Sequence, residues 1–423
     1  MKEIRPCAKI NAVIEVPGSK SLTQRALIAA ALADGTSELV GPLASEDTRY
    51  TAAALRAFGI AINESGNRWQ VNGTGGRILA PAQDIFLGNN GTATRFLTSV
   101  AALGHGTFRI TGERRMEERP IRPLMEALAG WGVDIRSIKG TGCPPLEIKA
   151  NGLAGGRTVL PEGKSSQYLS SLLLVAPYAA RPAALEVIGE VLSRPYVIMT
   201  MAVMADFGIR VFSNEALSDF EIPPGVYQPQ EYLVEGDASN ASYFWAAAAV
   251  TAGRVTVANV PVPSLQGDAA FAALLARMGC VVEQTGTGLT VTGPEELNGI
   301  EVDMADMPDV VPTLAVVAAM ARGRTVIKNI AHLRIKECDR LHVMAVELAK
   351  MGARVTELPD TLIIEGKEEA APALHGAEID TYNDHRIAMS FAVAGLAVPG
   401  VRIHGEECVA KSFPDFWQRF QFA

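Results

Sequence analysis

Five glycines recur along this chain at nearly even intervals, and their spacing limits the possible folds more than any other feature. Gly59, Gly132, Gly208, Gly279 and Gly352 stand 71 to 76 residues apart. Similar amphipathic stretches lead into them: Ala-Leu-Arg-Ala-Phe before Gly59, Leu-Leu-Ala-Arg-Met before Gly279 and Glu-Leu-Ala-Lys-Met before Gly352. A glycine just past a helix adopts the left-handed cap that closes it at no steric cost. The pattern therefore predicts one outer helix per period, and a fixed period marks a repeat architecture. The same spacing places a sixth such helix at 415–421.

A second series runs out of phase with the first. Segments at about 20–34, 91–104, 165–180, 239–252, 309–322 and 384–398 are apolar nearly all round, which predicts buried helices. A short β-rich stretch follows each: Ser37–Val40, Phe108–Thr111, Leu185–Ile188, Val255–Val260, Thr325–Ile330 and Val401–His404. After each outer helix two more strands meet at a turn, as Val281–Glu283 and Leu289–Thr292 do around 285–288. The repeat is thus βαβαββ, and six copies of about 73 residues fill the 423-residue chain, the N-terminal strand completing the copy whose helix ends it. The densest proline cluster, Pro223 to Pro229, falls near the middle and predicts two domains of three copies each. The fold class is α/β (α+β).

The chain is 48% hydrophobic and 20% charged, as a globular protein with a large core requires. Its net charge of −8, from 38 basic and 46 acidic residues, argues against a general nucleic-acid or anionic-membrane binder. Any anionic ligand has to be caught by a local basic pocket. Five scattered cysteines without a Cys-x-x-Cys pair indicate neither a disulfide framework nor a zinc site. The dispersed histidines offer no metal motif either. The opening Met-Lys-Glu-Ile-Arg-Pro lacks an apolar core, and apolar runs such as Leu314–Ala321 fall short of the ~20 residues a membrane span needs. A soluble, cytoplasmic protein is expected.

The buried helices open on dense polar clusters: Gly18–Arg25, Gly88–Arg95, Gly163–Gln167, Gly236–Asn240, Met307–Asp309 and Tyr382–Arg386. Ser, Asn and Asp there serve as ordinary caps. Lys and Arg do not, because a cation at the positive end of a helix dipole is unfavourable by ~0.3–1 kcal/mol unless an anion offsets it. Free N–H groups, hydroxyls and cations together make a phosphate site. The outer helices also open on basic residues, at Glu118–Arg122, Ser193–Tyr196, Arg334–Arg340 and Lys411–Asp415. Lys336 and Arg340, four apart, would share a helix face and repel unless an anion sits between them. Gly163-Lys164-Ser165 resembles the end of a P-loop, but Thr158 stands where its first glycine belongs. ATP binding is not indicated.

Seven ordered motifs now become recognisable: Pro17-Gly-Ser-Lys-Ser21 with Arg25, Leu87-Gly-Asn89 with Gly91-Thr-Ala93, Glu118-Arg-Pro-Ile121, Ser165-Ser-Gln167, Lys336-Glu-x-Asp-Arg340, Asn383-Asp-His-Arg386 and Ala410-Lys-x-Phe-Pro-Asp415. Together, over residues 17–415, they resemble the 5-enolpyruvylshikimate-3-phosphate synthases of the enolpyruvyl transferase family. The resemblance implies two domains of three repeats whose buried parallel helices are surrounded by mixed sheets, an inside-out α/β barrel, with the active site in the interdomain cleft. It further implies domains at 18–236 and at 237–423 plus 1–17.

The implied reaction moves the enolpyruvyl group of phosphoenolpyruvate to the 5-hydroxyl of shikimate 3-phosphate through a tetrahedral intermediate, without cofactor or metal. By the same likeness the shikimate 3-phosphate set is Lys20, Ser21, Arg25, Ser165, Ser166, Gln167, Ser193, Asp309, His332 and Lys336. The phosphoenolpyruvate set is Lys20, Gly91, Arg119, Gln167, Arg340, Arg386 and Lys411. The implied catalytic residues are Asp309, Glu337 and Lys20. Two departures stand out: His332 where many relatives have Asn, and Thr94-Arg95-Phe96 where they often read Met-Arg-Pro. No nucleic-acid or membrane partner is implied, and a monomer is expected.

The nearest rival, a UDP-N-acetylglucosamine enolpyruvyl transferase, typically has Lys-Asn where this chain has Lys20-Ser21, and a Cys in a loop that Ile110–Pro120 fills without one. An RNA-end-binding protein built from related units would want a basic surface, which the net charge of −8 opposes.

Overall fold

The structure is a computed structural model that describes residues 1–163, 165–285, 288–367 and 373–422. Lys164 of the Gly163–Gln167 cluster and the Gly286-Thr287 turn lie outside the described residues. The chain divides into two compact lobes, Gly18–Val234, and Glu235–Ala423 together with Met1–Pro17.

In the first lobe the helices Lys20–Leu32, Gly91–Ala101 and Ser166–Val175 are buried over most of their length. Lys20–Leu32 is rich in Ala and Leu, whereas the other two also bury Thr94, Thr98, Ser99, Ser170 and Ser171, whose hydroxyls bond within their own helix or to a neighbouring one. The outer helices Glu46–Ala57, Arg122–Gly130 and Arg194–Asp206 each bury one face. They end at Gly59, Gly132 and Gly208, whose φ values of 93, 88 and 86° are the left-handed caps expected from sequence. The second lobe repeats the scheme with inner helices Ala238–Val250, Val311–Met320 and His385–Ala397. Its outer helices are Phe271–Arg277, Arg340–Lys350 and the short Phe416–Arg419.

Each lobe carries three small sheets, which stay separate among the described residues and do not close into a barrel. Three of the six show the βαβαββ repeat in full. In one, Ile85–Phe86 runs parallel to His105–Thr111, which pairs antiparallel with Leu146–Asn151, and Asp134–Ser137 forms the edge. The strands at 156–160, 183–187, 219–222 and 212–213 have the same order, as do 301–303, 324–328, 362–365 and 354–357.

The opening repeat of each lobe takes its first strand from elsewhere in the chain. Glu231–Leu233 pairs parallel with 36–40, and Asn11–Ile14 pairs parallel with 254–257. The sequence reading gave the N-terminal strand one task, completing the last repeat. The structure splits that segment: Lys2–Glu3 pairs with Arg402 and Ile403 of the last sheet, whereas 11–14 serves the sheet around Val255.

Side-chain contacts show that the inner helices of a lobe begin at the same end. Gln167 Nε2 donates to Thr92 Oγ1 at 3.1 Å in the first lobe, and Arg386 Nη2 to Asp309 Oδ2 at 2.6 Å in the second. At mid-depth Ser242, Thr313 and Ser390, one from each inner helix, form a buried chain of hydroxyls at 3.2 and 3.4 Å. The polar openings of the helices are thereby gathered, lobe by lobe, into two clusters.

Candidate functional site

The first lobe's cluster forms around Arg25, one turn into the Lys20–Leu32 helix and fully enclosed. Its Nε donates to Thr200 Oγ1 at 2.7 Å, Nη1 to the Ser21 carbonyl at 3.0 Å, and Nη2 to Ser170 Oγ and the Tyr196 carbonyl at 3.2 Å each. All four acceptors are neutral. Burial pushes its pKa down to about 10, against weaker opposing effects from Tyr196 and Tyr232. A buried guanidinium held only by hydroxyls and carbonyls keeps its charge for an incoming anion. Half-buried Ser21 sits beside it on the helix. Ser193 precedes the Arg194–Asp206 helix at φ 55°, ψ 44°, a left-handed conformation that costs a side-chain-bearing residue ~1 kcal/mol or more. Strain of that kind is characteristic of functional positions.

Lys20 Nζ reaches Asp47 Oδ2 at 3.1 Å, both largely buried. Asn90 caps the Gly91–Ala101 helix by accepting from Ala93 N at 2.9 Å, and its amide donates to the Asp47 carbonyl. Arg119, 3% exposed, lies against the start of that helix and donates to Asn89 O and Oδ1 at 3.2 Å. The carbonyl of neighbouring Pro120 accepts from Arg95 Nη2 at 2.8 Å and Tyr168 Oη at 2.6 Å, which fixes the peptide from which Arg119 projects. Gly91 leaves the room Arg119 needs: a methyl carbon there would fall 2.7 Å from Arg119 Cζ. Ser165 and Ser166 open the third inner helix, and Gln167 spans from it to Thr92.

The second lobe's cluster is built differently, around Arg340. Its Nε donates to Asp384 Oδ2 at 2.8 Å, Nη1 to Asp309 Oδ1 at 3.0 Å and Nη2 to Glu337 Oε2 at 2.8 Å. Burial acts to lower its pKa, but Asp384, Glu337 and Asp309 outweigh burial and hold it above the ordinary arginine value. Asp309 also accepts from Arg386 Nη2 at 2.6 Å, with Lys336 Nζ 3.9 Å away, and Lys411 Nζ lies 3.6 Å from Glu337 Oε1. Asp384 caps the His385–Ala397 helix by accepting from Arg386 N at 2.9 Å, after two residues, Tyr382 and Asn383, at φ 51 and 55°.

One expectation fails here. Lys336 and Arg340 do not share a helical face, because the helix begins only at Arg340, capped by the side chain of Asp339. Residues 336–339 form the turn before it. An anion does lie between the two cations, and it is the protein's own Asp309.

His332 stands next to Lys336 and Asp309, buried, with neither ring nitrogen hydrogen-bonded among the described residues. Burial, and Lys336 after it, push its pKa down to about 4 against Asp309. It is a neutral imidazole at neutral pH.

Of the residues singled out from sequence, Lys20, Ser21, Arg25, Gly91, Arg119, Ser165, Ser166, Gln167 and Ser193 lie at the helix openings of the first lobe. Asp309, His332, Lys336, Glu337, Arg340, Arg386 and Lys411 gather in the second. Sequence reasoning missed the residues that hold them: Asp47 on Lys20, Thr200 and Ser170 on Arg25, Asp384 on Arg340. Only Asp384 had a signal, its place in the Tyr382–Arg386 cluster. Asp268 was missed too, a buried carboxylate bonded by Ser239 Oγ, which burial and then Asp309 push up to about 6. A cavity of about 840 Å³ opens where Ala249, Met320 and Leu396 end the second lobe's inner helices. Those ends are the negative poles, unsuited to a polyanion. Among the described residues no helix is long and apolar enough to cross a membrane.

Two α/β lobes that each collect cations at the openings of buried helices define a protein that handles small polyanions. The comparisons make that class particular. The family model for EPSP synthase (3-phosphoshikimate 1-carboxyvinyltransferase) matches residues 4–420, and the chain belongs to that family. A 3-phosphoshikimate 1-carboxyvinyltransferase of Nostoc punctiforme is 44% identical over 414 residues, 97% of this chain and 96% of the relative. One of Syntrophobacter fumaroxidans is 44% identical over 420 residues, 99% of both chains. The solved EPSP synthase of Acinetobacter baumannii superposes with a TM-score of 0.82 at 30% identity, covering 100% of this chain and 98% of its own.

Proposed function

We propose that the two clusters transfer the enolpyruvyl group of phosphoenolpyruvate to the 5-hydroxyl of shikimate 3-phosphate, releasing phosphate, in the shikimate route to aromatic amino acids. Family membership and full-length relatives of that name support the reaction. The assignment of residues is carried by one observation: Asp309 and Glu337, from different elements, are held on opposite nitrogens of a single buried guanidinium, Arg340. Addition–elimination needs two carboxylates with different tasks kept close together.

In this reading Asp309 takes the proton of the 5-hydroxyl as its oxygen bonds to C2 of phosphoenolpyruvate, and Glu337 gives a proton to C3. In the second half the C2–O bond to phosphate breaks, Glu337 recovers the C3 proton, and the proton held by Asp309 leaves with the phosphate. Lys20 assists. The cations Lys20, Arg119, Arg340, Arg386 and Lys411, with Gly91 and Gln167, hold phosphoenolpyruvate and stabilise the charge of the tetrahedral adduct. Arg25, Ser21, Ser165, Ser166, Gln167, Ser193, His332 and Lys336 hold shikimate 3-phosphate, with Lys20 and Asp309 also touching it. A monomer working in the cytoplasm completes the reading.

The test is release of phosphate from phosphoenolpyruvate by the full chain. Release that depends on shikimate 3-phosphate is expected; release without it, or with UDP-N-acetylglucosamine in its place, overturns the reading.

A further inference from the structure

The polar neighbours of Arg25 explain its orientation but not how a cation survives, fully enclosed, without a carboxylate. Among the described residues no acidic side chain lies within ion-pair distance of it, and burying an unpaired charge is ordinarily costly. Two aromatic rings also lie beside it. Arg25 Cζ lies 5.3 Å from the ring centroid of Phe96 and 5.9 Å from that of Tyr196, both inside the range of a cation–π contact. Phe96 is 1% exposed and belongs to the Gly91–Ala101 helix, a different element from Arg25, so the contact joins two of the lobe's three inner helices. A carboxylate in the place of Phe96 would stabilise the guanidinium too, but would cancel the charge a phosphate has to meet. An aromatic face stabilises it and leaves the net charge whole.

We infer that Phe96 is a positioning residue for Arg25, its ring holding the guanidinium in place and charged for the phosphate of the acceptor substrate. The inference rests on the function proposed above. It predicts a defect confined to one substrate. Phe96→Leu, which fills much of the space without a π face, should raise the KM for shikimate 3-phosphate about tenfold or more, the loss expected of a desolvated cation–π contact. The KM for phosphoenolpyruvate and kcat should stay within about threefold. Phe96→Tyr, which keeps the face, should restore the KM for shikimate 3-phosphate to within about threefold of the parent. In an Arg25→Gln background Phe96→Leu should add no further loss.

A merely structural role would lower the melting temperature and leave that KM unmoved, or raise it equally in the Arg25→Gln background; either outcome overturns the inference. Phe96→Met provides the same test should the leucine variant not fold. A parental protein that releases no phosphate in the presence of shikimate 3-phosphate overturns the functional reading and this inference with it. An active parent with a normal Phe96→Leu variant overturns this inference alone.

Discussion

Gly91→Ala isolates the seat of Arg119 with a single methyl group. The added carbon would lie 2.7 Å from Arg119 Cζ and 2.9 Å from Nη1, whereas carbon contacts are favourable at ~3.5–4.0 Å. The guanidinium must therefore retreat by about 1 Å, giving up its 3.2 Å bonds to Asn89. The fold should not suffer, because Gly91 is the first residue of its helix and Ala is the better helix former by ~1 kcal/mol. If Arg119 grips phosphoenolpyruvate, one charge-assisted bond worth ~1.5–3 kcal/mol is weakened, which raises the KM for phosphoenolpyruvate roughly ten- to a hundredfold. Shikimate 3-phosphate binding should be unchanged, since Arg25 and Ser193 stand on other elements. Initial rates of phosphate release at varied phosphoenolpyruvate, calorimetric titration of shikimate 3-phosphate and a thermal melt check the three parts. A KM within twofold of the parent in a protein that melts no lower would refute the assignment of Arg119.

The other expectations are simpler to state. Ser166→Ala should weaken shikimate 3-phosphate binding about tenfold, and Lys411→Ala should chiefly raise the phosphoenolpyruvate requirement; equal loss of both substrates in each variant would reject the two sets. Glu337→Gln should slow exchange of solvent deuterium into C3 of phosphoenolpyruvate by more than ~10²-fold, and Asp309→Asn should bind both substrates yet stall adduct formation. Exchange at the parental rate in Glu337→Gln would move the C3 proton to Lys20. His332, pushed from 6.5 down to about 4 chiefly by burial, is neutral when folded and takes up a proton more readily when unfolded. Its contribution to stability is therefore present above about pH 6.5 and is lost as pH falls towards 4, to a limit of roughly 3 kcal/mol at ~1.4 kcal/mol per pH unit. Denaturant titrations at pH 7 and pH 5 should show that slope in the parent and a flatter one in His332→Asn.

How much of this was legible in the sequence depends on whether a feature has a period. The closing glycines and the apolar helices repeat, so Gly59, Gly132 and Gly208 announced their caps and the βαβαββ order followed. What does not repeat was hidden. Nothing in Asn11–Ile14 or Glu231–Leu233 tells that each completes a sheet begun elsewhere, because pairing with a strand remote in the chain leaves no mark in local composition. The Lys336–Arg340 reading failed for a related reason: i, i+4 spacing has meaning only inside a helix, and Asp339, a good N-cap, starts the helix too late for Lys336 to join it. The candidate site was visible as cations at helix openings, but its supporting residues were not. Thr200 and Ser170 look like ordinary residues of apolar helices until Arg25 is seen between them.

The two clusters show why similar cations must be set in opposite surroundings. A phosphate is attracted by net charge, so an arginine proposed to meet it is best held by groups that orient without neutralising, and Arg25 has hydroxyls, carbonyls and ring faces. A carboxylate that must trade protons needs a fixed place, and a cation can supply it. Arg340 holds three carboxylates, with Arg386 and Lys411 adding charge at Asp309 and Glu337. On the proposed assignment Arg340 therefore has two tasks, gripping phosphoenolpyruvate and holding Asp309 and Glu337 in place. Replacing it would leave Asp384, which is wholly buried, without its main counter-charge, a change expected to cost ~3–5 kcal/mol of stability before any substrate is considered. On the proposed assignment the two arginines thus differ by their first neighbours: Arg25, among neutral groups, offers its charge to substrate, and Arg340, among carboxylates, also holds the acid–base pair in place.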